Sequence, residues 1–203
     1  MIDYLVFIPA CFAINLAFGP NNLMALTNGA QRGVCFAVIA SLGRLIAFIP
    51  MIVVSALGMG LILSASGVVF TAIKLVGAAY LIYLGVKILR SSSQADGNMV
   101  ERQALTLGQA FWHEGFVALG NPKAILVFAA FFPQFVVSEA YAQSYTIIGL
   151  IFLLLEAVAI LIYALLGRLA ARSATLNLQW IQRASGIGMI VFGALLLLAQ
   201  RPA

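Results

Sequence analysis

"GNPKAILVF", residues 120–128, decides how this chain is to be folded. It sets Asn121, Pro122 and Lys123 between two apolar segments, "LGQAFWHEGFVAL" (107–119) and "AILVFAAFFPQFVV" (124–137). Proline removes a backbone donor and lysine carries a charge, and both are expensive in hydrocarbon. Either the stretch is a loop at the water surface, or a membrane helix is broken there at a working site. Pro122 to Val137 is 16 residues, about 24 Å of helix against a hydrocarbon core about 30 Å thick. The segment is short for a span, so 107–120 must supply part of the crossing or lie at the interface. Asn121 suits an N-cap and Pro122 a first helical position. We read 120–123 as the junction of two half-helices, whose freed amides would form a local anion site beside Lys123. The competing reading is an interfacial cap with a snorkelling Lys123.

The composition supports the membrane setting. Hydrophobic residues make up 64% of the 203 and charged residues 8%, where a soluble domain has about 25% charged. Six spans follow, at roughly 4–27, 35–63, 68–89, 107–137, 145–167 and 184–199. The period-two alternation of a membrane barrel is absent, so the expected fold is an all-α integral membrane protein of six transmembrane helices. The start, "MIDYLVFIPACFAINLAFGP", lacks the basic leader of a signal peptide and reads as a retained first span. Cys11 and Cys35 would lie about 36 Å apart along a helix, too far for a disulfide.

The net charge of +5 reports topology and not a nucleic-acid partner. Arg32, Lys87, Arg90, Arg102, Arg168, Arg172 and Arg183 fall in or beside loops on one side, and Arg201 alone on the other. The positive-inside rule then puts both termini outside and loop 90–106 in the cytoplasm. The polar stretch "RSSSQADGNMVERQA" (90–104) forms the core of that loop. It separates half one (1–89) from half two (107–203) in a single polytopic domain. Three spans per half force the halves to enter the membrane in opposite directions. Half one carries "FGPNN" (18–22) in its first span, where half two carries "GNPKA" (120–124). Lys74 and Gly77 in the third span rhyme with Arg183 and Gly186 in the sixth. Interruptions at matched places point to a 3+3 inverted repeat with broken helices 1 and 4, and to a transport site at the breaks.

The deepest ionisable residues are Arg44 in "ASLGRLIAF" and Glu156 in "FLLLEAVAI". Charges at that depth cost several kcal/mol, roughly, unless paired or hydrated, and a mutual pair would reduce the cost. Glu156 is the candidate for proton coupling. His113 and Glu114, at the start of span four, are candidate gate residues, with wetted interface as the plainer reading. Tyr80, Tyr83 and Tyr163 read as packing or belt residues, Pro50 and Pro133 as kinks, and Gly77, Gly85, Gly186, Gly188 and Gly193 as close-packing positions. One histidine, no CxxC, no HExxH and no Walker loop exclude the familiar enzyme and ATPase constellations, and imply no cofactor and no metal.

Three motifs in order, "FGPNNLMALTNGAQRG", "KLVGAAYLIYLGVKILRS" and "GNPKAILVFAAFFPQF", resemble the lysine/threonine exporter (LysE/RhtB) family of bacterial amino-acid effluxers. The resemblance runs nearly end to end. It implies a multi-pass exporter of amino acids or their derivatives in the cytoplasmic (inner) membrane, driven by the proton motive force. It carries the family's Gly-Pro motif onto Gly19 and Pro20, and its Asn-Pro-Lys motif onto Asn121, Pro122 and Lys123. One departure stands out. Many members have Asp after the glycine of span two, and here the pair is Gly43-Arg44. Glu156 would then take over the acidic role.

The expected function is therefore a secondary exporter of small zwitterions, with the lipid bilayer as its setting and a homo-oligomer left open. The substrate-binding candidates are Gly19, Pro20, Asn21, Asn22, Arg44, Asn121, Pro122, Lys123 and Glu156. The cargo's carboxylate would meet the amides near Asn121–Lys123, or Arg44. Its ammonium would meet Glu156 and carbonyls freed at Gly19-Pro20. Two cations against one anion predict neutral or acidic cargo over basic. The rival reading is a passive channel or facilitator of the same architecture. A thiol-redox carrier would need paired cysteines.

Overall fold

The computed structural model describes residues 2–65 and 105–172 continuously, with scattered helical positions between 71 and 90 and between 183 and 197. The spans expected at 68–89 and 184–199 and the linker 90–106 fall largely outside the described residues. So do Lys74, Gly77, Tyr80, Lys87, Arg102, Gly186, Gly188, Gly193 and Arg201.

Every described element is helical. Helix α1 (Tyr4–Leu16) starts where the Asp3 carboxylate accepts from the Val6 amide at 3.2 Å. It stops at Ala17, and α2 (Pro20–Arg32) begins after an extended Gly19, with Pro20 at its first position. The two axes differ by 61°. Gly33, at φ +89°, reverses the chain in a single residue into α3 (Val34–Ala65). A side chain at that φ would be strained, which is why glycine stands there. Helix α4 (Leu107–Leu119) opens on a capping box between Thr106 and Gln109. Helix α5 (Pro122–Leu126) follows, capped by the Asn121 side chain. The α4 axis and the axis of 123–135 differ by 49°. Helix α6 (Tyr141–Arg172) closes the described chain.

Both expected breaks are present, at the expected residues. The segment after the second break is not the simple half-helix that its sequence suggests. Only Pro122–Leu126 is α-helical; Val127–Phe131 is a π turn and Phe132–Phe135 a 3-10 turn. A π turn skips one carbonyl per insertion. Side chains meet two carbonyls of this irregular stretch: the Ser55 hydroxyl donates to Phe128 O, and the Gln134 amide donates to Ala130 O.

Two helical segments are long and apolar enough to cross a bilayer alone, Val34–Gly58 and Ser138–Arg172. Each bent pair meets the same test together, giving up to four crossings among the described residues. The two ends of the bundle close differently. At the end bearing Arg32 and Arg168, backbones touch at glycine. A Cβ on Gly29 would lie 2.3 Å from Ala164 O, and one on Gly167 1.9 Å from Leu26 O; further along α3, next to Arg44, one on Gly43 would lie 2.0 Å from Phe111 O. At the other end, aromatic rings fill the interior. Phe7 stacks on Phe131 at 5.4 Å, and Phe128 meets Phe48, Phe132 and Phe152 edge to face. Between the two closures lies a buried polar layer.

Candidate functional site

The site begins with a backbone problem. Where α1 stops, the carbonyls of its last turn lose their helical amides; Ile14 O keeps one, from the Ala17 amide at 3.0 Å, and a membrane interior offers the others no water. Side chains from three other elements solve it. Lys123 Nζ donates to Ile14 O at 3.2 Å and to Ala17 O at 2.9 Å. Asn22 Nδ2 donates to Asn15 O at 2.7 Å and to Ala17 O at 2.9 Å. Tyr163 Oη donates to Leu16 O at 2.6 Å. The polar residues at the two breaks and on α6 are therefore tied to one another through the broken end of α1.

Arg44 is the hub. It is fully buried on α3. Its Nη1 donates to Glu156 Oε1 at 2.8 Å and Asn22 Oδ1 at 2.9 Å. Its Nη2 donates to Asn21 O at 2.9 Å and Ser41 Oγ at 3.3 Å. On the other side stands Glu114, whose Oε2 is 3.1 Å from Arg44 Nε, a close charge contact off the line of a hydrogen bond. Glu114 also accepts from Asn21 Nδ2 at 3.1 Å and from the Ser41 hydroxyl at 3.1 Å. Asn21 in turn accepts from Asn121 Nδ2 at 3.0 Å, and Asn121 Oδ1 caps the Lys123 amide at 3.0 Å. One connected network thus joins both breaks, α3, α4 and α6. A planar guanidinium with its fork of donors can hold two carboxylates and two asparagines at once, which a lysine cannot.

Of the expected site residues, Asn21, Asn22, Arg44, Asn121, Lys123 and Glu156 come together. Gly19 and Pro20 form the break itself; Pro20 is exposed, and a Cβ on Gly19 would touch Lys123 Cε and Nζ at 3.6 Å. Pro122 opens α5. His113 and Glu114 do not act as a pair. Adjacent residues on a helix point about 100° apart, so His113 faces outward, exposed, while Glu114 is buried beside Arg44.

Two expectations gain detail. At the start of the second half-helix, Pro122 has no N–H and the Lys123 N–H is held by Asn121. The carbonyls freed at the first break, expected to await a cargo ammonium, are held by Lys123 and Asn22. The charge count changes as well. Glu114 joins Glu156, so Arg44 and Lys123 face two carboxylates instead of one.

Asn15, Ser41 and Tyr163 were missed as site members. Asn15 is buried in α1 and donates to Phe152 O at 3.2 Å. Its signal was an amide seven positions before Asn22 in an otherwise apolar span. Ser41 lies three residues before Arg44, one helical turn, and looks like an ordinary small residue in sequence.

A cavity of about 10 Å³ opens inside this layer, room for about one water. Its polar wall is Asn15, Asn21, Asn22, Asn121, Lys123 and Glu156. Its apolar wall is Ile14, Phe48, Ala124, Val127 and Phe152. A cation and an anion thus line one small amphipathic space. Among the described residues no group of His, Cys, Asp and Glu could hold a metal ion.

The family model described as LysE type translocator matches residues 12–200. An uncharacterized membrane protein of Pseudomonas aeruginosa is 35% identical over 80% of this chain and 75% of its own length. The homoserine/homoserine lactone efflux protein of Salmonella typhimurium is 31% identical over 90% of each chain. The leucine efflux protein of Salmonella choleraesuis is 31% identical over 67% of this chain, an alignment spanning 64% of that protein. No solved structure matches the chain.

Proposed function

This chain belongs to the LysE-type translocator family, transporters and not enzymes, and from that premise we propose that it exports neutral, zwitterionic amino acids or their close derivatives. Relatives named for efflux of leucine and of homoserine or its lactone support an amino-acid cargo. The observation that carries the reading is the amphipathic cavity with Lys123 and Glu156 on its wall. A zwitterion admitted as that space widens offers its carboxylate to Lys123 and its ammonium to Glu156 and to the carbonyls at the broken end of α1. Its side chain faces Phe48, Val127 and Phe152. Two buried cations balanced by two carboxylates favour a cargo without net charge, so both basic and acidic amino acids rank below neutral ones.

Glu156 is the coupling residue in this reading. It holds Arg44 through one hydrogen bond and lines the cavity, whereas Glu114 is locked by Ser41, Asn21 and Arg44. Protonation of Glu156 would release the cargo's ammonium, linking export to the proton gradient across the inner membrane. The halves would rock about the two breaks as related, inverted units, with both termini outside.

The test is efflux from proteoliposomes loaded with neutral, acidic and basic amino acids, with and without a proton gradient. The wild type should export the neutral class in a gradient-dependent way. Glu156→Gln should abolish the gradient dependence, and Lys123→Ala should abolish export. Equal export without a gradient would instead give a passive facilitator. Export indifferent to both substitutions would remove the site from these residues.

A further inference from the structure

We propose that Lys123 occupies a built-in ammonium seat, which the cargo's own ammonium takes over when it binds. The inference rests on the transport reading above and goes one step beyond it, to what holds the empty site together. Lys123 Nζ makes two hydrogen bonds, both to backbone carbonyls, those of Ile14 and Ala17. Among the described residues it forms no salt bridge, although Glu156 lines the same cavity. Its positive charge is met by the carbonyl end of α1, the negative pole of that helix. A primary ammonium with three donors on a flexible stem fits such a seat, and so does the ammonium of an amino acid.

The surroundings are shaped for that stem. Gly19 packs beside the stem: a Cβ there would stand 3.6 Å from Lys123 Cε and Nζ, in ordinary van der Waals contact. Asn121 pins the start of α5 and so fixes the lysine backbone. The seated lysine forms part of the cavity wall.

Exchange then follows from charge. A zwitterion's ammonium replaces the lysine ammonium on Ile14 O and Ala17 O, one cation for another. The displaced Lys123 finds a counterion in the same molecule, its carboxylate. A simple amine could take the seat but would leave Lys123 displaced with no partner, a costly state at this depth. A simple acid would bring a carboxylate with nothing to free the lysine for it. Selection for a molecule carrying both groups is thereby built into one side chain.

The seat is tested with ethylammonium chloride as the probe, on detergent-purified full-length protein, by thermal unfolding. Lys123→Ala vacates the seat. At ethylammonium about tenfold above its dissociation constant, the variant should gain roughly 3–6 °C. Tetramethylammonium, with no N–H to donate, should give no such gain, and wild type should respond to neither salt. Equal shifts of the variant in the two salts would overturn the proposal.

Lys123→Met keeps the unbranched stem and provides the second measurement. Wild type should bind an exported amino acid at least about tenfold more tightly than the amine lacking its carboxylate, a preference of about one charge-assisted contact. The Met variant should bind the two about equally. Retention of the wild-type preference would also overturn the proposal. If wild type exports no amino acid, the transport reading fails, and the ethylammonium result still decides whether the seat exists.

Discussion

Arg44 shows how one residue can impose order on a membrane interior. Its guanidinium reaches Glu114, Glu156, Asn22, Ser41 and the Asn21 carbonyl. Removing one partner of a buried ion pair leaves the other charge uncompensated, at a cost of about 3–5 kcal/mol. Arg44→Ala is therefore expected to lower thermal stability in detergent by that amount. Arg44→Lys should recover little of it, because an ammonium cannot span two carboxylates. The two glutamates should separate in the same assay. Glu114→Gln disturbs a carboxylate held by three residues, Ser41, Asn21 and Arg44, and should be the more destabilising. Glu156→Gln disturbs one held through a single hydrogen bond and should unfold nearer to wild type. Equal losses in the two would mean that Glu156 is as structural as Glu114.

At the scale of elements, the breaks work only because neighbouring helices approach closely enough to serve them. Asn22 on α2 and Tyr163 on α6 can reach the broken end of α1 because α2 and α6 pack backbone to backbone at Gly29 and Gly167. Helix α4 brings Glu114 to Arg44 because Gly43 admits the Phe111 carbonyl. A methyl group at any of these glycines meets backbone and must push two helices apart. Gly29→Ala, Gly43→Ala and Gly167→Ala should each cost roughly 1–3 kcal/mol and reduce transport along with stability. Gly58→Ala, with nothing within 4 Å of its Cβ, is the control on the same kind of helix and should not destabilise. Thermal unfolding of the four variants side by side checks this. A loss at Gly58 equal to the others would point to helix flexibility, not close approach, as the role of these glycines.

Among the described residues, the polar layer is flanked by backbone contacts on one side and by aromatic rings on the other. Cys11 gives a native reporter for the second closure. It is fully buried in the same apolar cluster as Phe7, Phe131 and Phe132, while Cys35 is exposed. In a Cys35→Ser background, a small maleimide should leave Cys11 unmodified in the absence of cargo. Labelling should rise during turnover, when that end opens, and should rise without cargo in Phe7→Ala. Mass spectrometry of the intact chain reads both. Cys11 labelled equally fast with and without cargo would mean that the aromatic closure does not move.

The breaks were legible in the sequence because proline and glycine act locally. Pro20 and Pro122 fix their own φ and lack a donor wherever the rest of the chain goes, and Asn121 caps the residues next to it. Arg44 and Glu156 were legible as a problem, since a charge in an apolar run must find a partner. The partners were not legible. Glu114 looked like half of an interfacial pair with His113, and only the packing of α4 on α3 turned it inward. The seat of Lys123 was invisible too, because backbone carbonyls have no letter in the sequence. The Ser55 hydroxyl that meets Phe128 O in the π turn comes from 73 positions away in the chain. The sequence by itself determined the apolar spans, the two breaks and the charges that had to be buried. Only the tertiary structure decided which groups meet across the breaks, because hydrogen bonds and ion pairs depend on distances between segments that the chain order leaves open.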